Sequence, residues 1–389
     1  MRLNKIVLFL SVFTLITLNA CRKAETNAST ACTVEAPQSH PKSVAFQSLM
    51  DEATKAGLPG MSLLIADSNG VWYGASGMAD IESNIAYQPC SVQKLGSITK
   101  MMMAVMVMKL VEEGKVNIDD KVSKWLDAKT IEGIANADQV TLRNLMQHTS
   151  GIYDIIRSSD FYLAVLHNPN KHWTGEELLT YVRGQAAVFT VNTEVRYSNT
   201  NTLLLSMCIE KITGRPHNEL LHEKVIDPIG MSSTYYHTHD ALPAITAQGY
   251  YDLYNKGTVS NVSNIVTGSG NGFTGVYSNV FDLQKFVKAV FLDKTVLKQS
   301  TLDTMMQWKQ NSPDTDFGLG LFRKSLGTNS TEYRIGHTGG DLGYACEVYY
   351  FPHNGRYFIL CVNYGTDSDS YLKPTYVQLV KDIVSEMKK

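Results

Sequence analysis

The sequence predicts an α/β fold of the α+β kind: a five-stranded antiparallel sheet flanked by terminal helices, with a mainly helical insertion. Three observations predict it. Two strand-like segments follow a helical segment near the N-terminus, three more precede a C-terminal helix, and the middle of the 389-residue chain has helical spacing. Short strands joined by tight turns favour antiparallel pairing. We therefore expect one sheet whose halves come from opposite ends of the chain.

The predicted strands and helices of the sheet layer lie before and after the insertion in the sequence. In chain order they are a helix over 44–57, strands Met61–Ala66 and Val71–Ala75, strands Tyr333–Thr338, Cys346–Phe351 and Tyr357–Asn363, and a helix over Leu372–Met387. Asp67-Ser68-Asn69-Gly70 and His353-Asn354-Gly355-Arg356 have the composition of hairpin turns.

The middle of the chain is predicted to be helical. Ile98–Glu113 is apolar on all sides and ends at Gly114, which predicts a buried helix with a glycine cap. Its run of methionines indicates core filling rather than a soft binding surface. Further helices are predicted over Leu142–Gln147, Thr174–Gly184, Thr200–Ile212 and Phe281–Phe291.

The N-terminus predicts export. Residues 1–20 read as a signal peptide, because Arg2 and Lys5 precede an apolar run, 6–18, that is too short to span a bilayer stably. Cys21 follows in a lipobox-like pattern, so we expect it to be acylated, giving a membrane-anchored lipoprotein that faces the periplasm or the cell surface. Asn19 is uncommon at its position, which leaves cleavage without lipidation, and a secreted protein, open.

The remaining chain divides in two. Residues 21–43 are polar and read as a lipid-anchored flexible tether. Residues 44–389 form the folded domain, with a sheet part over 44–95 and 270–389 and a helical part over 96–269.

Composition excludes several classes of partner. The formal net charge of -2 and the pI of about 6.6 indicate no nucleic-acid partner. Six cysteines without a CxxC pair form neither a disulfide framework nor a zinc or redox motif, and which bridges form, if any, is left open. No cofactor is implied.

Ser97-Ile98-Thr99-Lys100 opens the predicted buried helix and is a candidate catalytic motif. A spacing of three places Ser97 and Lys100 on one helix face, where a partly desolvated lysine can accept the proton of the serine. Taken alone the pattern is weak, since Ser97 could be an ordinary helix cap. A second copy, Ser91-Val92-Gln93-Lys94, begins no helix and reads as a solvated loop.

Two further motifs lie where elements begin or end. Tyr197-Ser198-Asn199 precedes a helix, so Tyr197 could shuttle a proton and Asn199 could bind a substrate amide; a surface turn is the alternative. His337-Thr338-Gly339-Gly340 ends a strand, and its glycines allow a ligand to approach the backbone. The alternative is a strand-to-turn junction with a hydrogen-bonded histidine.

The three motifs in this order resemble the serine β-lactamase and penicillin-binding peptidase family, in its class C-like branch. The likeness covers about residue 44 to the C-terminus and is most similar to secreted D-alanyl-D-alanine carboxypeptidases. The stretches that carry it include Leu95–Lys100, Val140–Gly151, Tyr197–Asn201, Gly230–Thr234 and Gly336–Gly339.

The resemblance implies roles for single residues. Ser97 would form an acyl-enzyme, with Lys100 and Tyr197 moving its proton and His337 completing the relay in place of a lysine. The backbone N–H groups of Ser97 and Gly340 would form the oxyanion hole beside Gly339. It further implies that Asn199 holds the substrate amide and Thr338 its carboxylate, whereas His148 and Ser150 belong to a structural loop.

One departure concerns substrate recognition. Carboxypeptidases of this branch carry an arginine directly after a Gly-Leu-Gly-Leu stretch, but here Phe322 takes that place and Arg323 follows. On a strand, Arg323 would face the other side. The resemblance therefore leaves the role of Phe322 and the recognition of a substrate carboxylate open.

The resemblance implies a serine hydrolase that acts on D-amino-acid-containing peptides, as a D-alanyl-D-alanine carboxypeptidase does. A class C-like β-lactamase, an esterase and a D-amino-acid amidase use the same residues and stay open, so β-lactams and esters are alternative substrates. A peptidoglycan- or peptide-binding lipoprotein without activity is the alternative of another class. Zinc chemistry at His237–Asp240 or His217–His222 lacks the required ligand spacing, and no GxSxG elbow is present in 389 residues.

Overall fold

The computed structural model describes residues 39–244, 246–327, 331–366 and 369–389. The predicted signal peptide, Cys21 and most of the predicted tether lie outside these residues. Within them, no helix combines the length and the apolar composition that crossing a membrane requires.

One helix lies near each end of the described chain, and the other helices lie between them in the sequence. They are α1 Ser43–Lys55, α2 Ile98–Glu112, α3 Ala128–Ile131, α4 Leu142–Met146, α5 Ser159–His167, α6 Gly175–Leu179, α7 Asn199–Thr213, α8 His217–Leu221, α9 Asp227–Ile229, α10 Val280–Val287, α11 Gln299–Met305 and α12 Lys373–Lys388. The predicted helix over Phe281–Phe291 is therefore α10, continued by a π-helical turn over Lys288–Leu292.

The strands are β1 Gly60–Asp67, β2 Gly70–Asp80, β3 Ile85–Ala86, β4 Gln93–Lys94, β5 Tyr235–Tyr236, β6 Tyr250–Tyr251, β7 Ser260–Asn261, β8 Val276–Ser278, β9 Lys309–Ser312, β10 Thr315–Phe317, β11 Phe322–Ser325, β12 Tyr333–Asp341, β13 Tyr344–Phe351 and β14 Arg356–Val362. The main sheet runs β3-β2-β1-β14-β13-β12-β11-β10-β9.

The predicted joining of the chain ends is confirmed, and the predicted strand count is wrong. β1 pairs with β14 in antiparallel register, Met61 opposite Val362 and Ala66 opposite Tyr357. Within the described residues the sheet has nine strands rather than five, because β3, β9, β10 and β11 add to its edges. These strands have two to four residues and little apolar alternation, so the period-2 signal that reveals a strand was absent.

Two layers cover the sheet. On one face α1 and α12 pack against the strands through a cluster that includes Phe46, Trp72, Phe358 and Tyr376. The other face contacts α2, whose residues Ile98 to Met108 are all buried, as a helix that is apolar on every side requires. The methionines of α2 lie in this core. The start of α2 is thereby held in a fixed position against the sheet.

Candidate active site

Ser97 lies at the start of α2, directly beside the end of β12. Gly96 precedes it with a φ of 53°, and a Cβ there would lie 2.5 Å from the carbonyl oxygen of Gly340. A Cβ on Gly339 would lie 1.9 Å from the oxygen of Leu95. Real Cβ atoms do not approach backbone so closely, so both positions require glycine. The glycines bring the backbone of β12 against the residue that precedes Ser97.

Lys100 lies one turn further along α2, and its side chain is buried. Its Nζ is 2.9 Å from Ser97 Oγ, as the spacing of three predicts. It also donates to Asn199 Oδ1 at 2.7 Å and to the carbonyl oxygen of Phe273 at 2.7 Å. Sequence alone did not indicate Phe273, because a backbone acceptor carries no side-chain signature.

Tyr197 lies two residues before the start of α7 and lines the same cavity as Ser97. Lys100 Nζ is 5.0 Å from the centroid of its ring. The ring also packs on that of His148 at a centroid distance of 4.5 Å. The structure thus brings together the serine and lysine of one motif and the tyrosine of another, which are far apart in sequence.

His148 and Ser150 form hydrogen bonds to residues at the start of α7 and just before it. His148 Nδ1 accepts hydrogen bonds from the N–H of Ser198 and from Asn201 Nδ2, and Ser150 Oγ contacts Asn201 Oδ1. Burial, together with the charge of Lys100, lowers the pKa of His148 to about 3, so its ring is neutral. These contacts fit the structural loop that the sequence suggested.

Asn199 is the first residue of α7 and connects Lys100 with Asp154. Its Oδ1 accepts from Lys100, and its Nδ2 donates to Asp154 Oδ1 at 3.1 Å. Asp154 is buried, and its pKa is raised, chiefly by loss of solvation. Sequence analysis assigned no role to Asp154, which lies 45 residues before Asn199. The contact between Asn199 and a substrate amide stays a prediction.

His337 is buried in the interior of the site and is neutral. Burial, and then the charge of Lys100, hold the pKa of His337 well below its usual range. Its Nδ1 lies 2.6 Å from the carbonyl oxygen of Thr338, which can only accept, so this nitrogen carries the proton. A lysine at this position would bring a positive charge, whereas His337 brings an uncharged ring.

The hydroxyl of Thr338 is occupied by a polar cluster. Its Oγ1 lies 2.8 Å from Lys324 Nζ, 3.1 Å from Glu347 Oε2 and 2.9 Å from the hydroxyl of Tyr349. Thr338 does not belong to the residues that line the cavity beside Ser97. The contact of Thr338 with a substrate carboxylate stays a prediction. In the structure the Thr338 hydroxyl bonds to Lys324, Glu347 and Tyr349 instead.

The cavity beside Ser97 is small, with a volume of about 70 Å³. Aromatic side chains and Ile156 share its wall with hydroxyl, amide and carboxylate groups. The lining residues are Ser97, Ile156, Phe161, Tyr162, Tyr197, Asn199, Thr267, Phe273, Thr274, Gly340 and Asp341. A cavity this small favours a small substituent next to the reacting carbonyl.

A buried ion pair forms one side of this cavity. Lys94 Nζ lies 2.8 Å from Asp341 Oδ2, and the hydroxyls of Thr267 and Thr274 donate to the same carboxylate at 2.5 and 2.7 Å. The interpretation of Ser91–Lys94 as a solvated loop is therefore wrong. Ser91 and Lys94 are buried, and Gln93–Lys94 form strand β4. A paired lysine inside a protein has the same sequence signature as an exposed one.

Arg323 faces away from the site, as predicted, and Phe322, whose role the sequence left open, faces it. The ring of Phe322 stacks on His337 at 4.0 Å between centroids and lies 6.1 Å from Tyr197. Arg323 is ion-paired to Asp316 and lies over the ring of Trp308 at 5.3 Å. The guanidinium that a carboxypeptidase of this branch would present is thus replaced by an uncharged ring.

No three histidine, cysteine, aspartate or glutamate side chains are arranged to hold a metal ion in the part of the chain that the structure describes. His222 contacts Asp240 at 2.8 Å, and His217 contacts Glu210 at 2.6 Å. The zinc alternative has no ligand set there.

A serine and a lysine at the start of a buried helix, beside the end of an antiparallel strand, define the β-lactamase/transpeptidase fold class. The chain belongs to the Beta-lactamase family, whose sequence pattern matches residues 45–381.

The sequence identity of this chain to individual relatives is low. The chain is 26% identical to D-alanyl-D-alanine-carboxypeptidase/endopeptidase AmpH of Escherichia coli K12 over 251 residues, 64% of this chain and 62% of AmpH. It is 25% identical to Penicillin-binding protein 4* of Bacillus subtilis 168 over 324 residues, 79% of this chain and 69% of that protein. A D-stereospecific amidohydrolase from Streptomyces sp. superposes with a TM-score of 0.75 at 28% identity, covering 86% of this chain and 98% of the other. The match to AmpH thus spans less than two thirds of that relative.

Proposed function

We propose that this protein is a serine hydrolase that forms an acyl-enzyme on Ser97 and cleaves D-alanyl peptides of the cell-wall type. The observation that carries the proposal is the 2.9 Å contact between Ser97 Oγ and a buried lysine nitrogen that Asn199 and Phe273 hold in place. The carboxypeptidase AmpH among its relatives supports the substrate class.

The reaction follows from these contacts. Ser97 Oγ attacks the substrate carbonyl carbon while its proton passes to Lys100 Nζ, and Tyr197 conducts that proton to the leaving nitrogen. The N–H groups of Ser97 and Gly340 stabilise the oxyanion. Water then releases the acyl group, and Ser97 regains its proton.

The first experiment is the intact mass of the purified protein after brief exposure to benzylpenicillin. We expect an adduct on the wild type and none on Ser97→Ala. Ser91→Ala is the matched control, because Ser91 stands in the same SxxK spacing and its Oγ accepts a turn hydrogen bond from the Gln88 N–H. Fast loss of the drug without an adduct would indicate a β-lactamase. An untouched drug and unmodified protein, with D-alanyl peptides also uncleaved, would favour the binding lipoprotein.

A D-aminoacyl amidase is a second candidate function, and one observation favours it. Near the cavity, Phe322 and the neutral ring of His337 present no charge to a terminal carboxylate. The nearby cation, Lys324, already donates to the hydroxyl of Thr338. The D-stereospecific amidohydrolase similar to this chain is consistent with such a substrate. Rates on a peptide ending in D-Ala-D-Ala and on its C-terminal amide decide between the two, since a carboxypeptidase requires the free carboxylate.

We also propose that the protein is exported and anchored to a membrane through lipid on Cys21. The support is the apolar run over 6–18 and the small residue before the cysteine. Growth with a labelled fatty acid should label the wild type and not Cys21→Ser, while Cys32→Ser, in the same polar segment, keeps the label. An unlabelled wild type released into the medium would overturn the anchor and leave the secreted form.

A further inference from the structure

Asp154 lies beneath the candidate active site, on the side of Asn199 that faces away from Lys100. It is 5% exposed and precedes the turn Ile155–Arg157. Its Oδ1 accepts the backbone N–H of Asn199 at 2.9 Å and Asn199 Nδ2 at 3.1 Å. Asp154 thus holds both the start of α7 and the side-chain amide of Asn199.

This contact determines which way the amide points. An ionised carboxylate can only accept hydrogen bonds, so the NH₂ group of Asn199 must face Asp154. Its oxygen must then face Lys100 Nζ, at 2.7 Å. The opposite orientation would set an oxygen against a carboxylate and an NH₂ group against the lysine.

The direction of the amide decides what Lys100 can do. Two of its partners, Asn199 Oδ1 and the carbonyl oxygen of Phe273, accept and cannot donate. A neutral lysine has two N–H bonds and one lone pair. Once both N–H bonds are donated to these oxygens, the lone pair is directed at Ser97 Oγ, which lies 2.9 Å away.

We propose that Asp154 is a positioning residue that fixes the amide of Asn199 and thereby directs the lone pair of Lys100 at the hydroxyl of Ser97. The inference rests on the proposed function of Ser97 as a nucleophile. In the step concerned, the Oγ–H bond of Ser97 breaks, an Nζ–H bond forms on Lys100, and Oγ bonds to the electrophile. With the amide of Asn199 reversed, the lone pair would instead accept from Nδ2 and leave Ser97 without a base.

The test is Asp154→Asn with a fluorophosphonate, a probe that reports serine activation without depending on the natural substrate. Its P–F bond breaks as Oγ–P forms, and the proton of the serine goes to Lys100. An asparagine at 154 can offer its own NH₂ to Asn199 Oδ1, so the amide can turn. Losing a hydrogen bond to a charged group predicts a fall of about ten- to a hundredfold in the maximal inactivation rate, with half-saturation unchanged.

Thr200→Val is the matched control. Thr200 Oγ1 also joins α7 to the segment before Ile155, through Tyr153 O at 2.7 Å and Ile155 N at 3.0 Å, without touching the amide of Asn199. We expect this variant to lose melting temperature but not inactivation rate. Asp154→Asn should lose rate even where its melting temperature is the same as that of the wild type.

The pH profile of the inactivation rate distinguishes a positioning role of Asp154 from a merely structural one. The Asp154 carboxylate favours the charged form of Lys100, so its removal should shift the acid limb of the rate to lower pH while the plateau falls. Two charged residues that line the same cavity as Asp154, Arg157 and Arg196, are unchanged in the variant. Equal plateaus for Asp154→Asn and wild type would overturn the inference and leave the proposed function intact. A wild-type protein that reacts with neither the fluorophosphonate nor benzylpenicillin would overturn the proposed function itself.

Discussion

The backbone of Gly96 packs directly on that of Gly340, so the residue before the candidate nucleophile and the end of β12 are fixed against each other. A Cβ on Gly96 would meet the O, C and N atoms of Gly340 at 2.5, 2.7 and 2.8 Å. The proposed oxyanion hole takes one N–H from Ser97 and one from Gly340. Its width therefore depends on the absence of a side chain at position 96.

Gly96→Ala should therefore abolish most of the activity. Moving the N–H of Gly340 removes one oxyanion donor, which lowers kcat by about 10²- to 10³-fold. Gly114→Ala is the control, because Gly114 has a similar φ of 69° but nothing within 4 Å of its Cβ. Both variants have the backbone strain of a left-handed alanine, about 1–2 kcal/mol, and only Gly96→Ala should lose acylation. Equal activity of the two variants would contradict the proposed hole.

Lys94→Met should destabilise the protein strongly at neutral pH. It leaves the fully buried Asp341 carboxylate without its cation, which costs about 3–5 kcal/mol. Although burial raises the pKa of Asp341, Lys94 and the two threonines lower it below 3.8, so the pair stabilises the fold above that pH and is lost below it.

The measurement is urea unfolding at pH 7 and pH 4. Without Lys94 the pKa of Asp341 rises, so Asp341 is neutral in the variant at pH 4 and the deficit should shrink there. A deficit that is the same at both pH values would show that lost packing, not an unpaired charge, explains it.

The fold was largely predictable from periodicity, and the site was predictable only where side chains carry the chemistry. The strands β1, β12, β13 and β14 and the apolar helix α2 have strong patterns, and all were predicted. Asp154 and the carbonyl oxygen of Phe273 were missed, because one is an isolated carboxylate and the other is backbone. The burial of Lys94 was missed for a related reason: pairing with Asp341 depends on a contact 247 residues away, which no local pattern contains.

His148 should make the fold less stable as the solution becomes acidic. The unfolded chain binds a proton at His148 below about pH 6.5, while the folded protein does not until about pH 3. Each pH unit in that window therefore lowers the free energy of unfolding by up to about 1.4 kcal/mol. His148→Asn tolerates the φ of 57° at this position and can still accept from Ser198 N–H.

The unfolding free energies of the wild type and of His148→Asn, measured between pH 7 and pH 5, check this expectation. The wild type should lose stability more steeply than His148→Asn, whatever their difference at pH 7. Parallel curves would mean that His148 is protonated in the folded state.

Phe322→Arg should move the preference of the enzyme toward substrates with a free carboxylate. Phe322 stacks on His337 and lies 6.1 Å from Tyr197, so a guanidinium there would face the cavity side of β11. A new hydrogen bond between charged groups is expected to raise kcat/KM for a peptide ending in D-Ala-D-Ala, relative to its C-terminal amide, by about tenfold or more. Arg323→Gln is the control, because Arg323 is paired with Asp316 and points away. If the wild type already prefers the free acid and Phe322→Arg leaves the ratio unchanged, another residue recognises the carboxylate.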